Sequence, residues 1–282
     1  MKYNTINFVK MHASGNDFII INNLDKTFNF NYSKLAKKLC ERKFSVGADG
    51  LLVLEKSKLS DFKMLYFNSD GSKATMCGNG ARCIAYYYSL IVKNKTVRTL
   101  TIETLAGIIK AEIDYRKNIN TAKVKIQLTE PKDIKLNFML KVAGKKFNAS
   151  FINTGVPHTV IFVKNISKIN VDKLGRIIRN NIMFQPEGTN VNFVEVKNNN
   201  TLFVRTYERG VESETYACGT GITASSIIAG LNNFIKPPVK CITSIGEILK
   251  VYYNILKDKN FLTVSNVYLE GMVHISFSGR VK

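Results

Sequence analysis

Met76-Cys77-Gly78-Asn79-Gly80-Ala81 has a counterpart in Ala217-Cys218-Gly219-Thr220-Gly221-Ile222, with the two cysteines 141 residues apart, half the length of the chain. A second pair of short stretches supports nearly the same offset. Ser14-Gly15 is followed by Phe18-Ile19-Ile20-Ile21, and Thr154-Gly155 by Thr159-Val160-Ile161-Phe162, with the glycines 140 residues apart. Two similarities at spacings that differ by one residue imply an internal duplication, and so two related domains. The domains expected are 1–132 and 133–263, meeting where Glu130-Pro131-Lys132-Asp133 interrupts the pattern.

On either side of the repeated motifs, apolar runs and alternation predict strands over 18–21, 50–55, 63–67, 121–128, 158–163, 192–196 and 201–207. Residues 33–41 read as a helix with Ser33 as its N-cap and Leu35, Ala36, Leu39 and Cys40 on one stripe. Residues 172–181 read as a similar helix, with Leu174, Ile177 and Ile178 inward. After each Cys-Gly-x-Gly comes a helix, 79–92 and 220–232, that is apolar nearly all round and therefore buried. Strands and helices do not alternate regularly, so the class is α+β.

The composition is that of a soluble globular chain: 282 residues, 45% hydrophobic and 22% charged. No apolar run approaches the roughly 18 residues of a membrane span, and Met1-Lys2-Tyr3-Asn4-Thr5 opens no long apolar stretch of a secretory signal. Five cysteines with no C-x-x-C pair argue against a disulfide framework or a zinc ribbon and for a cytoplasmic protein with reduced thiols. The formal charge of +20 invites a nucleic-acid reading. The basic residues, however, are mostly lysines spread along the length among many Asn and Ile. No basic tract carries interleaved aromatics, so neither nucleic acid nor membrane is expected as a partner.

Cys77 and Cys218 each stand just before a glycine-rich helix entry. The first turn of a helix presents unpaired N–H groups and the positive end of its dipole, which suits a carboxylate. The same field is expected to lower the pKa of a neighbouring thiol. An isolated cysteine is usually a small buried hydrophobe, and Cys40, Cys83 and Cys241 fit that description. Two close thiols could also form a redox pair. What sets Cys77 and Cys218 apart is that both copies of the repeat keep the cysteine with its glycines.

At this point the chain resembles the diaminopimelate epimerase family. Met11-His12-Ala13-Ser14-Gly15-Asn16-Asp17-Phe18 is similar to the family's opening motif. Phe67-Asn68-Ser69-Asp70-Gly71-Ser72 and Met76-Cys77-Gly78-Asn79-Gly80-Ala81-Arg82-Cys83 are similar to its first catalytic segment. Gly188-Thr189-Asn190-Val191-Asn192-Phe193, Tyr207-Glu208-Arg209-Gly210 and Ala217-Cys218-Gly219-Thr220-Gly221 follow in the family's order. The resemblance implies two pseudo-symmetric duplicated α+β domains, each a mostly antiparallel sheet around a buried central helix. It places the active site in the interdomain cleft and returns a C-terminal strand, 264–282, to the first domain.

The reaction implied is inversion of one α-carbon of LL-2,6-diaminopimelate to the meso form, without pyridoxal phosphate, other cofactor or metal, in lysine and peptidoglycan-precursor biosynthesis. One cysteine as thiolate removes the α-proton, and the other as thiol protonates the opposite face, since a single base tends to return the proton to the side it left. Backbone N–H groups of Gly78, Asn79, Gly219 and Thr220 are implied to hold the carboxylate that stabilises the carbanion; such donors are typically worth about 2.7–4 kcal/mol each. By the same resemblance Asn16 contacts the reacting end, and Asn68, Asn190, Glu208 and Arg209 hold the distal end by charge matching. His158, with Glu208, is implied to activate a thiol, while His12 and His274 carry no role. The expected assembly is a homodimer binding a small-molecule substrate. Two departures bear on the substrate: Val156 precedes Pro157-His158 where the family often has Asn, and Gly50 stands where some members carry Gln. The alternatives are a two-cysteine racemase of histidine or proline type, and a non-catalytic binding or redox-sensing relative.

Overall fold

A computed structural model describes residues 5–92, 98–257 and 262–282. The chain forms two compact units, Met1–Gln127 with Glu270–Lys282, and Leu128–Leu269.

The first unit contains β1 (Ile6–Ala13), β2 (Asn16–Asn22), α1 (Tyr32–Cys40), β3 (Gly50–Glu55), β4 (Phe62–Asn68), β5 (Lys73–Ala74), α2 (Gly78–Ile91), β6 (Thr99–Thr104), β7 (Gly107–Tyr115), β8 (Thr121–Gln127) and the end of β17 (Leu262–Val281). Strands β2 and β3 pair in parallel, as do β4 and β6, whereas β1–β17, β1–β2, β3–β4, β4–β5, β6–β7 and β7–β8 are antiparallel. The row β17–β1–β2–β3–β4–β6–β7–β8 returns to β17 and closes on itself. Helix α2 lies inside this ring against β1, β2, β3, β4, β6, β7 and β8, and α1 covers β3 and β4.

That sandwich explains the unbroken apolar runs. Successive strand residues face opposite sides. Ile19, Ile21, Leu51 and Val53 therefore pack with Ala36 and Leu39 of α1. Phe18 and Leu52 point the other way and come against Gly80 of α2, where an added Cβ would stand 3.1 Å from Leu52 Cδ2. A strand buried on both faces has no reason to alternate.

The second unit repeats the plan. It contains β9 (Lys132–Val142), β10 (Lys145–Asn153), β11 (Pro157–Phe162), α3 (Val171–Arg179), β12 (Asn190–Asn198), β13 (Thr201–Glu208), β14 (Ser213–Thr215), α4 (Gly219–Leu231), β15 (Val239–Ile242), β16 (Ile248–Lys257) and the start of β17. The parallel pairs β11–β12 and β13–β15 correspond to β2–β3 and β4–β6. Helix α4 sits against β10 to β13, β15 and β16 as α2 does in its own ring, and α3 covers β12 and β13 as α1 covers β3 and β4. Ten residues of α4 are buried, so its sequence shows no polar face.

Three expectations are corrected. The N-cap of α1 is Asn31, whose side chain accepts from Lys34 N, while Ser33 Oγ donates to Gly71 O. The first unit ends at Gln127 rather than 132, because β9 pairs with β10 and so belongs to the second unit. Its returning segment starts at Glu270 rather than 264, since Val267 O accepts from Leu128 N within the second unit. Residues 1–4, on which the expectation of no secretory signal partly rests, lie outside the described residues.

Candidate active site

In the first unit Cys77 is the N-cap of α2, its Sγ accepting from Gly80 N at 3.5 Å. Asn16, at the start of β2, turns Oδ1 toward it at 3.7 Å. Asn79 Nδ2 donates to the same Oδ1 at 3.3 Å, and Asn79 Oδ1 accepts from Arg82 Nη2 at 2.6 Å. Asn16 Nδ2 donates to Asp49 Oδ2 at 2.8 Å. Asn68, at the end of β4, donates to Ser72 Oγ at 2.9 Å and lies opposite Gly50 in the β3–β4 ladder. The first unit thus gathers Asn16, Cys77, Gly78 and Asn79 at the helix entry.

Gly50 has a local cause. A Cβ there would meet Tyr66 Cε2 at 2.5 Å and Phe67 O at 2.8 Å. The Tyr66 ring occupies the room a glutamine would need.

In the second unit Cys218 is the N-cap of α4, buried, with Sγ 3.4 Å from Thr220 Oγ1. Burial, and then the Glu208 carboxyl, push this thiol up to about 12, against the lowering contacts of Thr220 and the backbone N–H of Gly221 and Thr220. The helix-terminus field was expected to lower it; desolvation of the thiolate outweighs that field, so Cys218 stands as a thiol. Burial also raises Glu208 above the usual carboxylate range.

His158 is fully buried on β11. Asn192 Nδ2 donates to Thr159 O at 3.0 Å and lies 3.1 Å from His158 Nδ1, while Asn192 Oδ1 accepts from Thr206 Oγ1 at 2.9 Å. A backbone carbonyl only accepts, so this amide cannot be reversed, and Nδ1 must be the acceptor. The hydrogen of neutral His158 is therefore on Nε2, which is buried with no protein partner among the described residues. Burial, and then the charge of Arg209, lower its pKa to about 3. The Asn192–His158 pair lies under the first turn of α4, where a Cβ on Gly221 would stand 2.3 Å from Asn192 Oδ1 and 3.3 Å from His158 Cε1.

Asn190 ties the remaining residues to this strand. Its Nδ2 donates to Pro157 O at 3.1 Å and its Oδ1 accepts from Arg209 N at 2.7 Å. Arg209 Nη1 donates to Glu187 O at 2.7 Å. Among the described residues no ion pair joins Glu208 to Arg209. Thr154 Oγ1 donates to Thr220 O at 3.1 Å, fixing the loop before β11 to the helix entry.

Sequence reasoning passed over Asp49, Arg82 and Asn192. Arg82 had a signal: it is a charge on a helix otherwise fit for burial, and it is fully buried, with Nη2 also donating to Ser14 Oγ at 3.2 Å. Asn192 stands two residues after Asn190 on one strand face, and is likewise buried. Asp49 carried no signal in its own neighbourhood. Among the described residues there is no cluster of three or more metal-ligand types, and no helix is long and apolar enough to cross a membrane. Among the described residues none of the five cysteines is joined in a disulfide.

The architecture is shared with solved structures over nearly the whole chain. A phenazine biosynthesis protein of the PhzF family from Bacillus anthracis matches with TM-score 0.73 at 18% identity, covering 99% of this chain and 100% of that one. A hydroxyproline epimerase from Agrobacterium vitis, solved with bound trans-4-hydroxy-L-proline, matches with TM-score 0.71 at 13% identity, covering 100% and 94%. Fold and paired helix entries thus define a duplicated α+β protein of this class. A family model described as Diaminopimelate epimerase matches residues 8–132 and 150–251. The diaminopimelate epimerase of Aquifex aeolicus is 44% identical, with 97% of both chains covered, and that of Caldanaerobacter subterraneus is 39% identical, with 98% of this chain and 99% of the relative covered. The chain belongs to the diaminopimelate epimerase family, isomerases that act without pyridoxal phosphate.

Proposed function

We propose that the chain converts LL-2,6-diaminopimelate to its meso form, with Cys77 and Cys218 as the two acid–base groups. The observation that carries this is the repeated construction itself: each unit sets one cysteine at the N-cap of its buried helix, within the same strand plan. One cysteine as thiolate takes the α-proton, and the other as thiol delivers a proton to the opposite face. The carbanion between these steps is held through its carboxylate by the N–H groups of Gly78, Asn79, Gly219 and Thr220, with Asn16 at the reacting end. Asn68, Asn190, Glu208 and Arg209 take the distal ammonium and carboxylate.

His158 and Glu208 serve the thiols differently. His158, with Nδ1 occupied by Asn192, acts as a fixed Nε2–H donor to developing negative charge rather than as a base. Glu208 is the acceptor on the Cys218 side. A thiol held as high as Cys218 needs a counter-charge to ionise, and the substrate ammonium supplies one. The reaction belongs to lysine and peptidoglycan-precursor synthesis in the cytoplasm, and the acting form is a homodimer.

The test is incubation in deuterium oxide with a panel of amino acids. Deuterium should enter the α-position of LL- and meso-diaminopimelate and not of histidine, proline, lysine or glutamate. Faster exchange into histidine or proline would overturn the substrate and leave the two-cysteine chemistry standing.

A further inference from the structure

The amides beside Cys77 are locked from both ends. Arg82, buried and cationic, donates to Asn79 Oδ1, so Asn79 must present Nδ2 to its neighbour. That neighbour is Asn16 Oδ1, and at the far end Asn16 Nδ2 donates to the carboxylate of Asp49. The hydrogen bonds run in one direction from guanidinium through two amides to carboxylate. Reversing either amide would set a donor against a cation or a carbonyl against an anion. Asp49 is itself fixed, by Arg42 Nη2 on Oδ1 at 2.9 Å and by Asp17 N on Oδ2 at 3.2 Å. Arg42 also binds Asp17, which pairs with Lys10, so the charges around Asp49 are largely balanced.

The consequence falls on sulfur. A carbonyl oxygen is only an acceptor, and one lone pair of Asn16 Oδ1 is used by Asn79. The other faces Cys77 Sγ at 3.7 Å. A thiol can donate to it; a thiolate would be repelled by it. Were the amide turned over, Nδ2 would face sulfur and favour the thiolate instead.

We propose that Asp49 is a positioning residue for Cys77: by fixing the orientation of Asn16 it turns a carbonyl oxygen rather than an N–H toward Cys77 Sγ, and so disfavours the Cys77 thiolate against the Gly80 N–H that reaches the same sulfur. This rests on the reading of Cys77 as one of the two acid–base groups. Asp49 acts through Asn16, not by its charge alone. Charge alone would move the thiol in the same direction, so the experiment must separate the two.

The readout is the rate at which iodoacetamide alkylates Cys77 as a function of pH, followed by peptide mass spectrometry, in a double-mutant cycle. Asp49→Asn and Asn16→Ala should each speed alkylation of Cys77 at pH 7 by about threefold or more, a shift of roughly half a pH unit, with Cys218 unaffected. In the Asn16→Ala background, Asp49→Asn should add nothing. The same acceleration in both backgrounds would show a plain charge effect and overturn the proposal, as would no acceleration by Asp49→Asn in either. If Asp49→Asn does not fold, Asp49→Ser carries the same expectations. None of these rates needs turnover, so failure of the unaltered protein to epimerise diaminopimelate would count against the function while leaving this cycle readable.

Discussion

Acidification should unfold this protein in part through a single side chain. His158 is fully buried, and its pKa falls from the ordinary 6.5 to about 3. The unfolded chain therefore takes up a proton near pH 6.5 that the folded chain refuses until far lower pH. The stability His158 contributes by staying neutral is complete above 6.5 and drains away as pH falls from there toward 3. The slope in that window is about 1.4 kcal/mol per pH unit. Integrated from neutral pH to pH 5, the loss is about 2 kcal/mol. At a denaturant dependence of about 2 kcal/mol per molar, the urea midpoint of the second unit should fall by about 1 M. His12 is also lowered, chiefly by burial and then by His274 stacked on it at 4.7 Å, and adds a loss of the same sign. Glu208 is raised by burial and works in the opposite sense. The decisive quantity is therefore a difference. His158→Gln retains an acceptor for Asn192 and cannot titrate, so the wild-type midpoint should fall more steeply than that of the variant between pH 7 and 5. Parallel curves would refute the argument.

Other outcomes follow from the same geometry. Cys77→Ala and Cys218→Ala should each abolish net epimerisation of diaminopimelate, measured by chiral chromatography, whereas Cys40→Ala, at the buried end of α1, should keep it. Gly221→Ala puts a methyl group 2.3 Å from Asn192 Oδ1; it should cost about 1–3 kcal/mol in a urea titration and depress turnover by displacing His158. Gly50→Gln should destabilise the first unit by a similar amount, seen as a lower melting temperature, because the Tyr66 ring must move. If Arg209 holds the distal end as proposed, Arg209→Ala should raise KM and lower kcat together for diaminopimelate, since that grip would also align the reacting carbon.

The elements legible in the sequence were those whose surroundings are uniform. Strands β2 and β3 show as apolar runs because helices lie on both sides, and α2 and α4 show as helices without a polar face because strands enclose them. Strand β9 went unread: Lys132, Asp133, Asn137 and Met139 are exposed along it, and only Leu140 and Val142 are buried. Strand β17 changes environment along its length, so no single alternation describes it. At the site, the cysteines and their glycines were legible because the chain states them twice. The hydrogen-bond directions that orient Asn16, Asn192 and His158 were not, since they depend on Asp49, Arg82 and Thr206, which are distant in sequence.

Strand β17 also imposes an order on synthesis. Residues 274–281 supply the antiparallel partner of β1, near the other end of the chain. As the polypeptide leaves the ribosome, the first unit can assemble β1 to β8 around α2 but cannot close its ring. Residues 128–269 have meanwhile all emerged, with enough strand and helix to form the second unit. The half of the protein that is translated first is thus the half that is finished last, and the open edges of β1 and β8 must stay unpaired while some 140 residues are made.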